Sequence, residues 1–300
     1  MKLVWFRNDL RVRDNPALYQ ACEDARRGQK PCGVIAVAII CPQQWLSHDD
    51  SPNKVAFWLA NLEQLKIELS ALNIPLKVIS GDLFSSVAPS LLELSKRYHC
   101  DGLYLNEEYC LNEQQRDDEV ESLLTGDGLG FYRFQGDTVI APGTILNQSK
   151  LPYRVFTPFS KAWRSVFSAS GLQLYPEPKI QPPLDIESDS IPLVASYFKN
   201  TPLVWSQDVW PVGADAAHQK LQNFVNESAG TYRHDRDFPS VNATSSLSPY
   251  LAIGVLSPRQ CLAGLSSRAQ GAEWVDSQWV SEIVWREFYR HLMVLFPQLN

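Results

Sequence analysis

The stretch from Gly33 to Ile79 reads GVIAVAIICPQQWLSHDDSPNKVAFWLANLEQLKIELSALNIPLKVI. Its two ends, Gly33–Ile40 and Leu76–Ile79, are short, apolar and rich in β-branched residues, which is typical of strands buried on both faces. Between them, Ser51 and Pro52 are helix-start signals, and apolar residues then follow one helical stripe as far as Leu72. A strand, a helix and a second strand in this order predict a βαβ unit with parallel strands.

The same alternation runs through the first 135 residues. Three further strands are predicted at Leu3–Phe6, Gly102–Leu105 and Phe131–Phe134. Three further helices are predicted at Asn15–Arg27, Ser86–Tyr98 and Asn112–Leu124. Five strands that alternate with helices indicate an α/β fold with a five-stranded, doubly wound, largely parallel sheet of the Rossmann-like kind.

The rest of the chain divides into two parts. Residues 136–201 carry many prolines and are predicted to be an interdomain connector, with one helix at Pro158–Phe167. After Pro202 the pattern is helical only, so residues 202–300 are predicted to be the first part of an all-α domain. Its helices are expected at Ala214–Glu227, Leu247–Ile253, Pro258–Arg268 and Trp274–Phe296.

Composition narrows the possible functions. The 300 residues are 45% hydrophobic with a net charge of −6, which excludes collagen-like and wholly disordered chains and argues against an indiscriminate nucleic-acid binder. Residues 201–300 hold seven Lys and Arg against nine Asp and Glu, so DNA binding would need a local arginine patch. Neither a signal peptide nor an apolar run of about 20 residues is seen, which predicts a cytoplasmic protein without a membrane span.

Polar side chains follow three of the predicted strands, and Arg7 is among those that follow the first. Open α/β sheets bind ligands at the carboxyl ends of their strands, where His48 follows the second strand and Asn112 and Glu113 follow the fourth. The alternatives are that Glu113 caps its helix and that His48 is a solvated loop residue. The GxGxxG and GxxxxGK[ST] motifs do not occur, so any ligand must be held in another way.

A second candidate site precedes the predicted helix Leu247–Ile253. Hydroxyls and backbone N–H groups are crowded there, as a phosphate or pyrophosphate requires, and the run is Thr244, Ser245, Ser246, Leu247 and Ser248. The alternative is a turn with a helix cap. Tyr232 adds an aromatic face nearby in the sequence, and Arg236 adds a cation.

The final predicted helix carries aromatic, acidic and guanidinium groups at helical spacing. It contains WVSEIVWREFYRHL from Trp279 to Leu292, in which Trp279, Glu282, Trp285 and Arg286 share one side. Aromatic rings interleaved with arginine suit a surface on which bases stack and phosphates are held. The alternative is that Trp279 and Trp285 form a core stripe, although the interleaved charges are not expected to be fully buried without partners.

Four segments together resemble the photolyase and cryptochrome family, most closely its bacterial class I cyclobutane pyrimidine dimer photolyases. They are VWFRNDLRVRDNPAL (4–18), YRVFTPFSKAW (153–163), RDFPSVNATSSLSPYLAIGVLSPRQ (236–260) and SEIVWREFYRHL (281–292). The resemblance implies an N-terminal α/β domain with an antenna chromophore, usually 5,10-methenyltetrahydrofolate, and a helical domain with FAD. It also implies that relatives continue well beyond residue 300, so the chain is expected to hold only part of the helical domain.

The resemblance also implies roles for single residues. Flavin contacts are expected from Tyr232, Thr244, Ser245, Ser246, Leu247, Ser248 and Trp279. Folate contacts are expected from His48, Asn112 and Glu113. Damaged DNA is expected to meet Glu282, which hydrogen-bonds the pyrimidines, Trp285, on which they stack, and Arg236 and Arg286. Two positions depart from the family pattern, because Ser246 and Ser281 stand where Arg and Asn are common.

The implied activity is light-driven repair of cyclobutane pyrimidine dimers in UV-damaged DNA, by electron transfer from excited reduced FAD. The partner is then damaged DNA, no obligate protein partner is needed, and a monomer is expected. Two alternatives remain open at this point. One is a cryptochrome-like blue-light receptor without repair activity, and the other is an inactive chain that retains only the α/β domain.

Overall fold

The computed structural model describes residues 1–28, 32–198, 205–268, 271 and 273–299. Its centre is a five-stranded sheet in which every pairing is parallel, in the order β3-β2-β1-β4-β5. The strands are β1 (Lys2–Phe6), β2 (Val34–Ile40), β3 (Leu76–Ser80), β4 (Gly102–Asn106) and β5 (Gly130–Phe134). The predicted doubly wound α/β architecture is confirmed.

Helices join the strands and make up most of the C-terminal part. In the α/β part they are α1 (Pro16–Arg27), α2 (Pro42–Ser47), α3 (Pro52–Ala71), α4 (Val87–Arg97) and α5 (Leu111–Gly126). After the sheet come α6 (Phe156–Ser170), α7 (Ala214–Glu227), α8 (Tyr232–Asp235), α9 (Ser248–Ala252), α10 (Pro258–Ser266) and α11 (Gln278–Leu295). Within the described residues, no helix combines the length and the apolar character needed to cross a bilayer.

The strand order creates a switch point between β1 and β4. Lys2 of β1 is in register with Val34 of β2 on one side and with Gly102 of β4 on the other. The chain leaves β1 toward β2 and β3 and later returns to the opposite side for β4 and β5. The loops at the carboxyl ends of β1 and β4 therefore diverge and leave a crevice, which is where open α/β sheets bind ligands.

The sheet is buried on both faces, as its apolar strands predict. Leu3 and Trp5 of β1 point into one cluster with α4 and α5, whereas Val4 and Phe6 point into the other. That second cluster is continuous with the helical part and reaches Trp163 and Trp279. The two parts of the molecule therefore share one core.

Two predicted helices have wrong limits, for local reasons. The predicted helix Trp274–Phe296 begins instead at Gln278, because the Ser277 side chain accepts a hydrogen bond from Val280 N and caps the helix there. Residues Glu273–Asp276 form a separate 3₁₀ turn. The predicted helix Pro158–Phe167 is longer and spans Phe156–Ser170, because proline is tolerated in a first turn. Helices α2 and α8 were not predicted, since both are short and carry little periodicity.

A buried ion pair fastens the loop after β1 to α10. Arg259 Nε lies 2.9 Å from Asp14 Oδ2, and Ser257 Oγ donates to the same oxygen at 2.6 Å. Arg11, 2% exposed, donates to the carbonyl oxygen of Gly254 at 2.9 Å. The loop that borders the crevice is thus held in place by the helical part.

The stretch predicted as a connector contains ordered structure. Its helix α6 packs against α11, and residues after it return along the edge strand β3. The predicted boundary between residues 201 and 202 lies outside the described residues.

Candidate functional site

The largest feature of the switch point is a cavity of about 590 Å³, which we call the crevice cavity. Four segments line it: the loop after β1, the α2 region, the start of α3, and the loop after β4 with the first turns of α5. The side chains that line it include Arg7, Asn8, Cys41, Trp45, His48, Lys54, Trp58, Glu108, Asn112, Glu113 and Arg116. Its volume lies in the range of small-molecule and cofactor sites.

All three residues predicted for the antenna chromophore line the crevice cavity. Asn112 Nδ2 lies 3.3 Å from His48 Nε2, which joins the end of α2 to the start of α5. Glu113 stands beside them, and burial, followed by the nearby charge of Glu108, raises the pKa of its carboxyl group. The structure therefore brings together three side chains from two distant segments.

Two arginines form the charged floor of the crevice cavity. Arg116 donates to Glu108 and to Asp117, both at 2.7 Å, and Arg7 Nη1 lies 3.3 Å from both carboxylate oxygens of Asp117. Burial opposes ionisation of Glu108, but the charges of Arg116 and Arg7 outweigh it and lower its pKa. Both guanidinium groups lie over the ring of Trp5, at 4.3 and 4.6 Å from its centroid. The two guanidinium groups are preorganised, because carboxylate partners already fix their positions.

Two indoles form the aromatic side of the crevice cavity. Trp58 of α3 donates its Nε1–H to the Arg7 carbonyl oxygen at 3.0 Å, which fixes the ring. Trp45 of α2 meets it edge to face, with ring centroids 6.1 Å apart. Planar aromatic walls beside amide, imidazole and carboxyl groups suit a heteroaromatic ligand with hydrogen-bonding edges.

A second group of predicted residues meets where α8 faces α11. Phe224 of α7 packs against Tyr232 at 5.7 Å and against Trp279 at 5.0 Å between ring centroids. Arg236 forms an ion pair with Glu282 and lies over the Tyr232 ring, 5.6 Å from its centroid. Burial, followed by the charge of Glu282, raises the pKa of Tyr232.

Trp279 itself is a core residue. Its side chain is 4% exposed and belongs to the main apolar cluster. Trp279 therefore lies in the core, as the alternative interpretation predicted. A flavin contact from Trp279 stays a prediction. The interleaved charges are not expected to be fully buried without partners, and Glu287, which is 2% exposed, is buried with partners. Its carboxylate accepts hydrogen bonds from Trp163 Nε1 and from Ile140 N and Val139 N, which satisfy it.

The hydroxyl-rich run lies at the start of α9. Thr244 and Ser248 are exposed, Ser245 and Ser246 are half-buried, and Leu247 is buried in the core. Ser246 has φ of 50°, and its carbonyl oxygen accepts from Trp210 Nε1 at 3.1 Å. The turn is therefore fixed by its backbone, while its outer hydroxyls stay accessible.

Trp285 and Arg286, which are predicted to meet DNA, are engaged within the protein, as Arg236 and Glu282 also are. The ring of Trp285 stacks on Phe156, with centroids 3.6 Å apart and planes at 6°. Arg286 forms an ion pair with Asp137, donates to its backbone carbonyl oxygen at 2.6 Å and also donates to the Leu251 carbonyl oxygen at 3.3 Å. This last contact ties α9 to α11.

Comparison with known proteins places the chain in a family. The family model for DNA photolyase matches residues 2–182. The chain belongs to the DNA photolyase family. It is 34% identical to the deoxyribodipyrimidine photo-lyase of Vibrio cholerae, across 100% of this chain and 63% of that protein. It is 36% identical to the Escherichia coli deoxyribodipyrimidine photo-lyase, across 99% and 61%.

Solved structures of the family agree with the fold. The class III photolyase of Agrobacterium tumefaciens superposes with a TM-score of 0.79 at 29% identity, over 99% of this chain and 60% of that chain. The chain thus spans about three fifths of the length of these photolyase relatives.

Family likeness and sequence pattern together missed several groups in the crevice cavity. Trp58 sits on the apolar stripe of α3 and is indistinguishable there from a core residue. Arg116 and Lys54 lie in helices, where charged residues are ordinarily solvated. The structure adds these three residues because the switch point brings their helices together. Arg7 is different, because its position directly after a buried strand already predicts it at this edge of the sheet.

Proposed function

We propose that the protein acts in light-driven repair of pyrimidine dimers in UV-damaged DNA, as a deoxyribodipyrimidine photo-lyase, with an antenna chromophore in the crevice cavity and FAD in the helical part. Membership of the DNA photolyase family supports the activity. The observation that carries the proposal is the convergence of His48, Asn112 and Glu113 in one cavity of about 590 Å³ beside two indoles.

The residues of the crevice cavity fit a planar chromophore such as 5,10-methenyltetrahydrofolate. Trp45 and Trp58 would provide apolar walls, and Asn112 and His48 would hydrogen-bond the edge of a heterocycle. Glu113, whose pKa is raised by burial, would hold a proton or accept one at the same edge. When bound, the antenna supplies light absorption.

The helical part fits one side of a flavin site. The accessible hydroxyls of Thr244 and Ser248, with Ser245 between them, would bind phosphate oxygens, and Tyr232 would cover an adjacent face. When bound, reduced FAD supplies the electron that opens the dimer and recovers it afterwards, with no net redox change. Trp279 is buried and would support this site indirectly, through its packing against Phe224, which also contacts Tyr232.

The residues of α11 would hold the lesion. Glu282 is 35% exposed at its side chain and is oriented by Arg236 and by Gln278, whose Nε2 donates to it at 2.9 Å. A pyrimidine dimer turned out of the duplex would meet this carboxyl group. Stacking on Trp285, worth about 1–3 kcal/mol per base, would offset the unstacking cost of a few kcal/mol.

The direct test is a repair assay on the 300-residue chain supplied with FAD and chemically reduced. A thymine-dimer oligonucleotide is illuminated with near-UV or blue light, and the remaining dimers are counted against a dark control. Loss of dimers only in the light is expected. Equal dimer content in light and dark, with flavin bound, would defeat the proposal.

A photoreceptor without repair activity is a second candidate, because Phe156 covers one face of Trp285 and Asp137 pairs with Arg286. Affinity for dimer-containing and for undamaged DNA separates the two. A repair enzyme binds the damaged duplex more tightly, whereas equal affinities favour the receptor. A purified chain without flavin absorption bands would point to the third possibility, in which only the α/β part is functional.

A further inference from the structure

The connector is anchored to the edge strand of the sheet. Leu76 N donates to Ser188 Oγ at 3.0 Å, and Asp189 N donates to the Leu76 carbonyl oxygen at 2.8 Å. Val78 N donates to Asp189 Oδ2 at 2.9 Å. These bonds satisfy backbone groups that an edge strand leaves unpaired, and they fix the direction in which the connector continues.

Beyond this anchor the connector packs beside the crevice cavity. Ile191, Val194 and Tyr197 contact the small apolar cluster formed by Ile40, Val55 and Leu59 with Trp45 and Trp58. Tyr197 interacts with the side chain of Ser80, at the carboxyl end of β3. The ring of Tyr197 meets the Trp45 ring edge to face, with centroids 5.6 Å apart and planes at 78°.

The orientation of Trp45 depends on its neighbours. Helix α2, which carries Trp45, has six residues, contains no fully buried side chain and has no side-chain cap. The Trp45 ring is in edge-to-face contact with two other rings, those of Trp58 and Tyr197. Trp58 lines the crevice cavity together with Trp45, whereas Tyr197 contacts Trp45 without lining the cavity itself.

We propose that Tyr197 is a positioning residue for the crevice cavity: it holds the Trp45 ring as an aromatic wall, so that the connector sets how tightly a planar ligand is bound. This inference rests on the proposed function, which places a planar chromophore in that cavity. An aromatic pair is worth about 0.5–1.5 kcal/mol beyond its buried area, which corresponds to a change in affinity of roughly 2- to 12-fold.

The first arm of the test needs no ligand. The 300-residue chain is produced with 5-fluorotryptophan, and the fluorine resonance of Trp45 is assigned with Trp45→Phe. Tyr197→Ala is expected to shift or broaden that resonance, whereas Tyr197→Phe, which keeps the ring, leaves it in place. Leu193→Ala is the matched control, because Leu193 is 75% exposed in the same segment. An unchanged Trp45 resonance in Tyr197→Ala would overturn the inference.

The second arm measures binding of 5,10-methenyltetrahydrofolate and, separately, of FAD by fluorescence titration. Tyr197→Ala is expected to weaken binding of the accepted probe roughly 2- to 12-fold, with Tyr197→Phe and Leu193→Ala close to the unaltered chain. A displaced Trp45 resonance with unchanged affinity would also overturn the inference. If the unaltered chain binds neither probe, the proposed chromophore site fails and this part of the inference fails with it, whereas the resonance arm still reports whether Tyr197 positions Trp45.

Discussion

Asn112 Nδ2 lies 3.3 Å from His48 Nε2, although 64 residues separate the two in the sequence. The contact closes one side of the crevice cavity and exists because β2 and β4 flank β1 and end at the same edge of the sheet. It links the segment after β2 with the first turn of α5. Asn112 is therefore the residue at which the proposed chromophore site is most directly tested.

Asn112→Ala should weaken binding of 5,10-methenyltetrahydrofolate about 5-fold, since one hydrogen bond contributes about 1 kcal/mol. Fluorescence titration of the purified chain measures the effect. Glu119→Ala is the matched control, because Glu119 is exposed on the same helix and outside this cavity. Equal losses in both variants would assign the effect to helix stability instead of to the ligand.

Gly254→Ala should destabilise the protein by about 3 kcal/mol or more. Gly254 has φ of 68°, and an added Cβ would lie 2.1 Å from the Asn8 carbonyl oxygen, so the backbone itself must move. Gly171 has φ of 72° but no atom within 4 Å of an added Cβ. Gly171, with ψ of −179°, lies in a backbone region that is essentially restricted to glycine, so Gly171→Ala should show only the conformational cost of about 1–3 kcal/mol. Urea unfolding of both variants provides the comparison, and similar losses would contradict this account of the contact between the two parts.

Glu287 should make stability fall as pH rises from about 4.5 to about 7. Burial raises the pKa of Glu287 to about 7, so over this interval the folded state binds a proton that the unfolded state releases. The stabilisation that Glu287 provides is complete below its pKa in the unfolded state and is lost as the pH rises through its pKa in the folded state. The total loss is about 3 kcal/mol. His291 acts in the opposite sense, because burial lowers its pKa to about 4.

The contribution of Glu287 is isolated with Glu287→Gln, which does not titrate. The quantity to follow is the difference in unfolding free energy between the original chain and the variant. This difference should decrease between pH 4.5 and pH 7, because the contribution of His291 is common to both proteins and cancels. Glutamine has a single acceptor oxygen for the three N–H donors, so the variant should also be less stable near pH 5. A difference that is constant with pH would show that the carboxyl group ionises normally.

Trp285→Ala should reduce the affinity for dimer-containing DNA by roughly 10-fold while leaving the FAD content unchanged. The measurement is electrophoretic or fluorescence binding, with the flavin absorption of each preparation recorded beside it. Tyr289→Ala is the matched variant, because Tyr289 is 55% exposed and stacks on the same indole at 5.8 Å between ring centroids. Parallel loss of FAD from Trp285→Ala would show that Trp285 supports the fold instead of binding the lesion.

Glu282→Gln should lower the yield of light-driven repair more than it lowers DNA affinity. The substitution keeps the shape of the side chain but removes the charge that faces Arg236 and the proposed lesion. Repair yield per absorbed photon and the dissociation constant of damaged DNA are the two quantities to compare. An unaltered yield would remove Glu282 from the proposed mechanism.

The sequence alone determined the sheet and most of the helices. Strands buried on both faces are continuous apolar runs, and Ser51 followed by Pro52 starts α3 where the pattern predicts, so local signals and tertiary packing agree in those segments. The hydroxyl-rich turn that carries Thr244 and Ser248 is likewise predicted from the sequence, since a turn before a helix is a local feature. Short-range chemistry can be predicted from neighbouring residues because it does not depend on the path of the chain.

The tertiary structure decided which side chains share a site. Trp58 and Trp279 both lie on apolar helical stripes, yet one lines a cavity and the other fills the core. Glu287 is buried with partners that its neighbours in the sequence do not reveal, because α6 and the loop after β5 bring N–H donors to it from more than a hundred residues away. These outcomes depend on contacts between segments that are distant in sequence. A local sequence pattern does not specify which distant elements will pack together.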